Sequence, residues 1–261
     1  MLSASIGTGL ANKFTDVRSI QLLLELAARG NPALTAVDAD GYWGTQTRNA
    51  LMDFQRVVMK MTTPTGVVAP ADATEAALAA AIPAGVLPEK VHGAVVNAEP
   101  TDVTVYFSPL QTTFAKYQIG SSLRIAHFLA QVGQESGDLR YHEEIASGQA
   151  YEGRADLGNT QHGDGPRFKG RGLIQLTGRA NYQAYGNFIG IDLTQGGNWE
   201  KVAEDPLLAA DVAGWFWDRH GLNALADRDD VIQITRRING GETGLDARTA
   251  RLQRAKFFWR P

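Results

Sequence analysis

Apolar residues recur every three or four positions along most of the chain, and no run alternates long enough to support a large sheet. This spacing is typical of amphipathic helices, because one helical turn takes about 3.6 residues. The segment 172–177 is the one short strand candidate. The sequence therefore predicts a mainly α fold, with a glycine-rich loop at 148–172 and helices at 16–29, 45–60, 72–81, 122–134, 205–219, 229–239 and 246–258.

Prolines and glycines interrupt the helical pattern between residues 83 and 100. The chain has 261 residues, which is enough for two domains of ordinary size. We therefore expect a small three-helix domain at 1–82, a linker at 83–100 and a larger α-rich domain at 101–261.

Composition excludes several classes of protein. The chain contains no cysteine, which excludes disulfide scaffolds and thiol peptidases, and its five histidines show no metal-binding spacing, so we expect neither a metal site nor a cofactor. A net charge of −3 argues against a nucleic-acid partner. No apolar stretch predicts membrane insertion, and the first residues lack the basic and apolar regions of a secretory signal.

Basic residues are concentrated near the end of the chain. Seven arginines and lysines lie between residues 235 and 260. Such a run is expected either on a solvated helix face or on a patch that favours an anionic surface.

A turn motif separates the first two predicted helices. It reads D-G-Y-W-G-T-Q-T at residues 40–47. Tyr42 and Trp43 offer apolar faces to sugars or peptides, while Asp40 and Gln55 offer hydrogen bonds. The motif thus predicts a binding surface on the first domain.

This first domain resembles the peptidoglycan-binding module, a three-helix domain found at the ends of many cell-wall hydrolases. The resemblance covers about residues 8–82. The alternative interpretation is that Trp43 and Phe54 only form the small core of this domain.

The predicted helix at 122–134 separates two kinds of residue. Its apolar positions share one face, whereas His127, Gln131 and Glu135 are spaced four apart on another. Glu135 stands at the C-terminal end of the helix, where the helix dipole disfavours a negative charge. A carboxyl group that keeps its proton is what general acid catalysis needs. The alternative is an ordinary exposed glutamate at a helix end.

Further motifs follow Glu135 in a recognisable order. They are Y-H-E-E at 141–144, Y-E-G-R at 151–154, F-K-G-R-G-L-I-Q-L-T-G at 168–178, N-Y at 181–182 and I-N-G-G at 238–241. This series resembles glycoside hydrolase family 19, the plant-type chitinase fold, and most closely its bacteriophage endolysin branch. The resemblance covers about residues 101–258 and implies a lysozyme-like catalytic domain of two lobes.

The resemblance implies roles for the carboxylates. Glu135 matches the general acid of the family, and the spacing in the endolysin branch selects Glu144 as the second carboxylate. Glu143 and Glu152 remain alternatives for that second role. Thr177 is expected to help position the catalytic water in an inverting reaction.

It also implies substrate contacts. Residues that match the groove of the family, or that could contact the glycan, are Gln175, Thr177, Asn181, Tyr182, Asn239 and Glu152. Arg171, with Lys169 and Arg179, could attract carboxylates of the cell wall; their alternative role is surface solubility.

Together the two resemblances predict a modular endolysin that degrades Gram-negative peptidoglycan. The expected reaction is hydrolysis of the β-1,4 bond between N-acetylmuramic acid and N-acetylglucosamine. The alternatives are a lytic transglycosylase, a chitinase, a secreted effector with the same chemistry and a wall-binding protein without activity. We expect a monomer that binds glycan strands and stays in the host cytoplasm until a holin-type system releases it to the wall.

Overall fold

The computed structural model describes residues 2–260, which are mainly helical, so the predicted fold class is confirmed. The helices are α1 (Phe14–Arg29), α2 (Thr45–Val57), α3 (Ala73–Ala80), α4 (Pro88–Ala94), α5 (Pro100–Lys116), α6 (Ser122–Glu135), α7 (Asp164–Arg167), α8 (Arg179–Ile189), α9 (Lys201–Glu204), α10 (Pro206–Arg219), α11 (Leu222–Ala226), α12 (Val231–Asn239) and α13 (Leu245–Trp259). Short 3-10 turns lie at Gln149–Tyr151, Ala155–Leu157 and Asn198–Glu200. None of the helices within these residues is long and apolar enough to cross a membrane.

The first packing unit comprises the residues up to Asn97 together with Gln253–Arg260. Helix α1 packs against α2, α3 and α4, and its apolar positions are almost fully buried. Phe54 on α2 is also buried, which favours the core interpretation for that residue. The extended N-terminus is tied down by Leu2, whose backbone N–H donates to Glu75 at 2.8 Å.

The segment 83–100 contains a helix that the sequence did not predict. Helix α4 begins at Pro88 and buries Val91 and Ala94. Its seven residues are too few for a helical period to stand out between flanking prolines, although proline suits the first turn of a helix. Phe258 packs on α4 at Gly93, and residues 253–260 are part of the first unit.

The second unit, Ala98–Leu252, is organised around α5, α6 and α10. Helix α5 packs along α10, and Phe128 of α6 contacts Trp217 of α10 edge-on with ring centroids 5.4 Å apart. Asp211 on α10 accepts hydrogen bonds from the hydroxyls of Tyr117 at 3.0 Å and Tyr185 at 2.9 Å. The contact between Phe128 and Trp217 holds α6 by its apolar face.

The predicted strand at 172–177 is wrong. This segment forms a turn with an isolated bridge between Arg171 and Leu176. Gly172 and Gln175 adopt left-handed backbone conformations, with φ of 72° and 56°, which no continuous strand contains. The predicted loop at 148–172 is mostly irregular but includes α7 and two of the 3-10 turns.

We predict that Glu25→Gln stabilises the first unit at alkaline pH. Burial, followed by the charges of Glu89 and Asp38, raises the pKa of Glu25 from 4.5 to about 7. Because the folded protein holds this proton more tightly than the unfolded chain, stability should fall as the pH rises from 4.5 through about 7. The variant should gain no more than about 3 kcal/mol near pH 8 and nothing near pH 4. Urea unfolding at the two pH values measures this difference; equal gains at both would contradict it.

We predict that Gly214→Ala destabilises the second unit. A Cβ at Gly214 would lie 2.2 Å from Tyr117 Cδ2 and 2.6 Å from Thr113 Cγ2, where α10 meets α5. Overpacking of this kind costs about 1–3 kcal/mol, so thermal unfolding should begin several degrees lower. Gly120→Ala is the matched control, because a Cβ there meets no atom within 4 Å. The explanation fails if both variants melt like the parent.

Candidate active site

Helix α6 presents Glu135 at its C-terminal end. Ser121 caps the start of the helix by accepting a hydrogen bond from the backbone N–H of Arg124 at 3.2 Å. The predicted polar face is present, with His127 and Gln131 fully buried and the Glu135 side chain 20% exposed. Glu135 is therefore the member of this face that solvent and ligands can reach.

Arg248 of α13 pairs with Glu135 and fixes one of its oxygens. Nη2 of Arg248 donates to Oε1 of Glu135, and only 4% of the arginine side chain is exposed. Oε2 of Glu135 accepts no hydrogen bond from residues 2–260. The carboxyl group is thus held on one side and available on the other.

In the sequence, Arg248 is part of a basic run that does not indicate this role. The structure corrects the interpretation of this run, because several of these cations have specific internal partners. Arg251 donates to Asp138 and Gln134, both at 2.9 Å, Arg236 pairs with Glu242, and Arg237 donates to the carbonyl of His220. No signal in the linear sequence could have found this role of Arg248, because the role depends on burial at a helix position that faces α6.

Glu144 is fixed on both oxygens. Oε1 accepts from the hydroxyl of Tyr151 and Oε2 from the backbone N–H of Gly170, each at 3.1 Å. The backbone N–H of Glu144 donates to the carbonyl of Gly170 at 2.9 Å, so the two segments are locked together. Burial and the contact with Glu144 raise the pKa of Tyr151, which keeps its phenol as a donor. Among the residues described, no lysine or arginine pairs with the Glu144 carboxylate.

The two alternative carboxylates, Glu143 and Glu152, are bound to other partners. Glu143 pairs with Arg171 at 2.9 Å and lies 3.4 Å from Lys169 Nζ. Glu152 accepts the backbone N–H groups of Gly163 at 2.7 Å and Gly165 at 2.8 Å, and these bonds lower its pKa. The geometry therefore favours Glu144 as the second carboxylate.

Gln175 lies next to Glu144, and Thr177 and Asn181 follow it through successive hydrogen bonds. A Cβ added at Gly170 would lie 2.8 Å from Gln175 Oε1 and 3.4 Å from Glu144 Oε2, so these two side chains flank the same glycine. Thr177 donates its hydroxyl proton to the carbonyl of Gln175 at 3.0 Å. Asn181, at the start of α8, donates to the carbonyl of Thr177 at 2.8 Å. Thr177 keeps lone pairs with which it can accept a hydrogen bond from water.

Tyr182 and Arg171 require a correction, because the structure places both inside the protein. Tyr182 is fully buried, its hydroxyl donates to the carbonyl of Lys169 at 2.8 Å and accepts from Arg171 Nη1 at 3.2 Å, and burial raises its pKa. Arg171 is 3% exposed and also donates to the carbonyl of Arg167 at 2.6 Å. These side chains hold the loop that carries Gly170, and neither faces a groove.

The other two predicted cations of this region are also internally paired. Lys169 Nζ donates to the carbonyl of Glu144 at 2.9 Å, and Arg179 forms an ion pair with Asp164 at 2.6 Å. Their contacts explain why these basic residues cluster in the sequence. They brace the segments around Glu144.

Asn239 lies at the end of α12 and is exposed. Its Nδ2 donates to the carbonyl of Thr243 at 3.3 Å and shapes the loop that leads into α13. A Cβ at Gly244 of this loop would lie 3.2 Å from Gln134 Nε2, which places the loop beside the end of α6. Asn239 is thus in the part of the second unit that also holds Arg248.

The predicted binding residues of the first unit divide into two groups. Tyr42 is 70% exposed, Trp43 is part-exposed, and Asp40 shapes their turn by accepting from the backbone N–H of Tyr42 at 2.8 Å. Gln55, in contrast, is fully buried, and its amide holds the loop at Thr65 and Gly66. The structure therefore corrects the assignment of Gln55 to a binding surface.

The comparisons with known proteins concern mainly the second unit. A family model described as chitinase class I matches residues 120–237. A glycosyl hydrolase family 19 domain-containing protein of Haemophilus influenzae is 30% identical over 180 residues, which cover 57% of this chain and 86% of that protein. An endochitinase of Arabidopsis thaliana is 39% identical over 131 residues, which cover 50% of this chain but only 44% of the plant protein.

Solved structures show the same fold. Chitinase C from Streptomyces griseus superimposes with a TM-score of 0.55 at 22% identity, covering 67% of this chain and 92% of that one. The class IV chitinase from Zea mays gives a TM-score of 0.53 at 24% identity, with 65% and 90% covered. The protein described here is a glycoside hydrolase. It belongs to glycoside hydrolase family 19.

We predict that the three neighbouring glutamates respond differently to replacement by glutamine. Glu144→Gln should lower kcat at least about 100-fold, because a neutral amide cannot take a proton from water. Glu152→Gln should leave kcat within about 10-fold. Any loss of stability should be full above pH 4.5 and should disappear as the pH falls further, because the folded protein lowers the pKa of Glu152 below that value. Glu143→Gln should resemble Glu152→Gln in kcat.

The three purified variants are compared by their kcat in activity assays and by their thermal unfolding. Equal loss of kcat in all three would remove the distinction drawn here. Loss in Glu143→Gln alone would assign the second carboxylate to that residue instead.

Proposed function

We propose that this protein is an endolysin that hydrolyses peptidoglycan of Gram-negative bacteria. It cuts the β-1,4 bond between N-acetylmuramic acid and N-acetylglucosamine. The observation that carries the reaction is the pair of carboxyl groups in contrasting settings. Glu135 has one fixed and one available oxygen, and Glu144 is held by Tyr151 and Gly170 without a cationic partner.

In the proposed mechanism Glu135 is the general acid. Its available oxygen, Oε2, carries the proton and gives it to the glycosidic oxygen as the bond to the anomeric carbon breaks. Arg248 on the other oxygen keeps the group in place during this transfer. General acid assistance of this kind contributes roughly 10²–10⁴-fold to the rate.

Glu144 is the general base of the same step. It removes a proton from a water molecule while the water oxygen bonds to the anomeric carbon from the opposite face, which inverts the configuration. Gln175 lies beside Glu144, Thr177 is bonded to the carbonyl of Gln175, and we assign both as hydrogen-bonding groups for this water. The second product is a sugar with a free reducing end, so atoms and charges balance.

The first unit supports peptidoglycan as the substrate. Its turn at residues 40–47 carries the exposed Tyr42 next to Trp43, and this pattern resembles wall-binding modules. Aromatic side chains in such positions bind sugars through their apolar faces. We infer that the protein acts as a monomer and remains in the host cytoplasm until a holin-type system releases it to the wall.

Chitin hydrolysis is the second candidate, because relatives that this chain resembles are named endochitinases. Both polymers contain β-1,4-linked N-acetylglucosamine, so one pair of carboxyl groups serves either. A lytic transglycosylase needs one catalytic glutamate, and the fixed position of Glu144 supports hydrolysis instead.

The test is analysis of the sugar ends formed on purified Gram-negative sacculi. Mass spectrometry should find reducing N-acetylmuramic acid ends, and proton NMR should show the α-anomer first. Anhydro ends would indicate a transglycosylase, and cleavage of chitin oligosaccharides without any action on sacculi would indicate a chitinase. Glu135→Gln should lower the rate at least about 100-fold; a fully active variant would overturn the acid assignment.

A further inference from the structure

Two arginines of α13 each bridge an amide and a carboxylate of the α6 region. Arg248 donates through Nη1 to Gln131 and through Nη2 to Glu135. Arg251 donates through Nη1 to Gln134 and through Nε to Asp138, each at 2.9 Å. In each case the amide precedes the carboxylate by four residues. The two arrangements are therefore matched in chemistry, and only the first contains the general acid of the proposed function.

Gln131 is unusual for a residue in the middle of a packed helix. It is fully buried, and while its Oε1 accepts from Arg248, its Nε2 has no hydrogen-bond partner among residues 2–260. A buried amide with an unpaired donor costs stability, but the oxygen of this amide accepts a hydrogen bond from the buried guanidinium of Arg248. The glutamine at this position therefore serves its bond to Arg248.

Gln131 carries no charge, and this affects the environment of Glu135. Arg248 is almost fully buried, so its positive charge acts on the groups it touches with little screening by water. A carboxylate at position 131 would compete with Glu135 for Arg248, whereas an amide orients Arg248 without adding a charge. An apolar side chain would leave Nη1 without an acceptor and allow the guanidinium to rotate away from Glu135.

We propose that Gln131 is a positioning residue for catalysis, which holds Arg248 so that Glu135 keeps one oxygen fixed and the other directed to the substrate. This inference rests on the proposed role of Glu135 as general acid. It concerns the hydrogen bond from Arg248 to Gln131, because Gln131 is not a reacting group.

The test compares substitutions at Gln131 with the same substitutions at Gln134. Gln131→Met removes the acceptor and should lower kcat about 10-fold or more, because small displacements of a catalytic group are costly. KM should stay within about twofold. Gln131→Glu restores an acceptor oxygen, so its kcat at its own optimum should recover toward that of the parent.

The pH profile gives a readout that a merely structural role would not move. In Gln131→Glu the added negative charge opposes loss of a proton from the general acid, so the alkaline limb of the profile should move to higher pH by at least about half a unit. Gln134→Met and Gln134→Glu should keep the kcat and pH profile of the parent, even where thermal unfolding shows that they are less stable. The substrate is whichever of purified sacculi or chitin oligosaccharides the parent cleaves.

Two results would overturn the proposal. One is an unchanged kcat and pH profile in both Gln131 variants; the other is an equal change in the Gln134 variants. Should Gln131→Met fail to fold, Gln131→Glu carries the test through the pH profile alone. Glu135→Gln is assayed beside them: if it is inactive while the Gln131 variants are normal, the proposed function stands and only the role of Gln131 falls.

Discussion

The hydrogen bond from Arg248 to Glu135 determines how the end of α6 is held. Nearly all of the guanidinium is buried, and its contacts reach two positions one turn apart on the helix. Removing Glu135 would leave the charge of Arg248 buried without this acceptor, which costs about 3–5 kcal/mol. The pair therefore has two effects, since it fixes a reacting group and also ties α13 to α6.

Glu144 depends on a different kind of support. One oxygen of its carboxylate is held by the hydroxyl of Tyr151 and the other by the backbone N–H of Gly170, and the loop around it is braced by Arg171, Lys169 and Tyr182. Backbone donors cannot be lost by mutation of a side chain, but they require the chain to approach closely. Gly170 permits that approach, since a Cβ there would crowd both Glu144 and Gln175.

Local signals in the sequence were sufficient for the helices that carry the chemistry. The period of apolar residues located α6, and the position of Glu135 at its end followed from the same pattern. Helix α5 was missed because Pro109 lies inside it, and the strand assigned to 172–177 failed because its backbone turns at Gly172 and Gln175.

Partners distant in the chain could not be predicted. Arg248 is 113 residues away from Glu135, and no local pattern links them. The motifs indicated Tyr182 and Gln55 as binding residues. They could not indicate that both side chains are buried, because burial depends on packing from several helices.

The packing of residues 253–260 in the first unit has a practical consequence for engineering. Phe258 and Trp259 are buried there, with Phe258 against Gly93 and the ring of Trp259 under Lys90. A shortened enzyme that begins after Asn97 would present this aromatic pair to solvent, and exposed apolar patches promote self-association. Grafting the first unit onto another hydrolase likewise requires the tail to travel with it, so the natural cut for module exchange is not a single point in the chain.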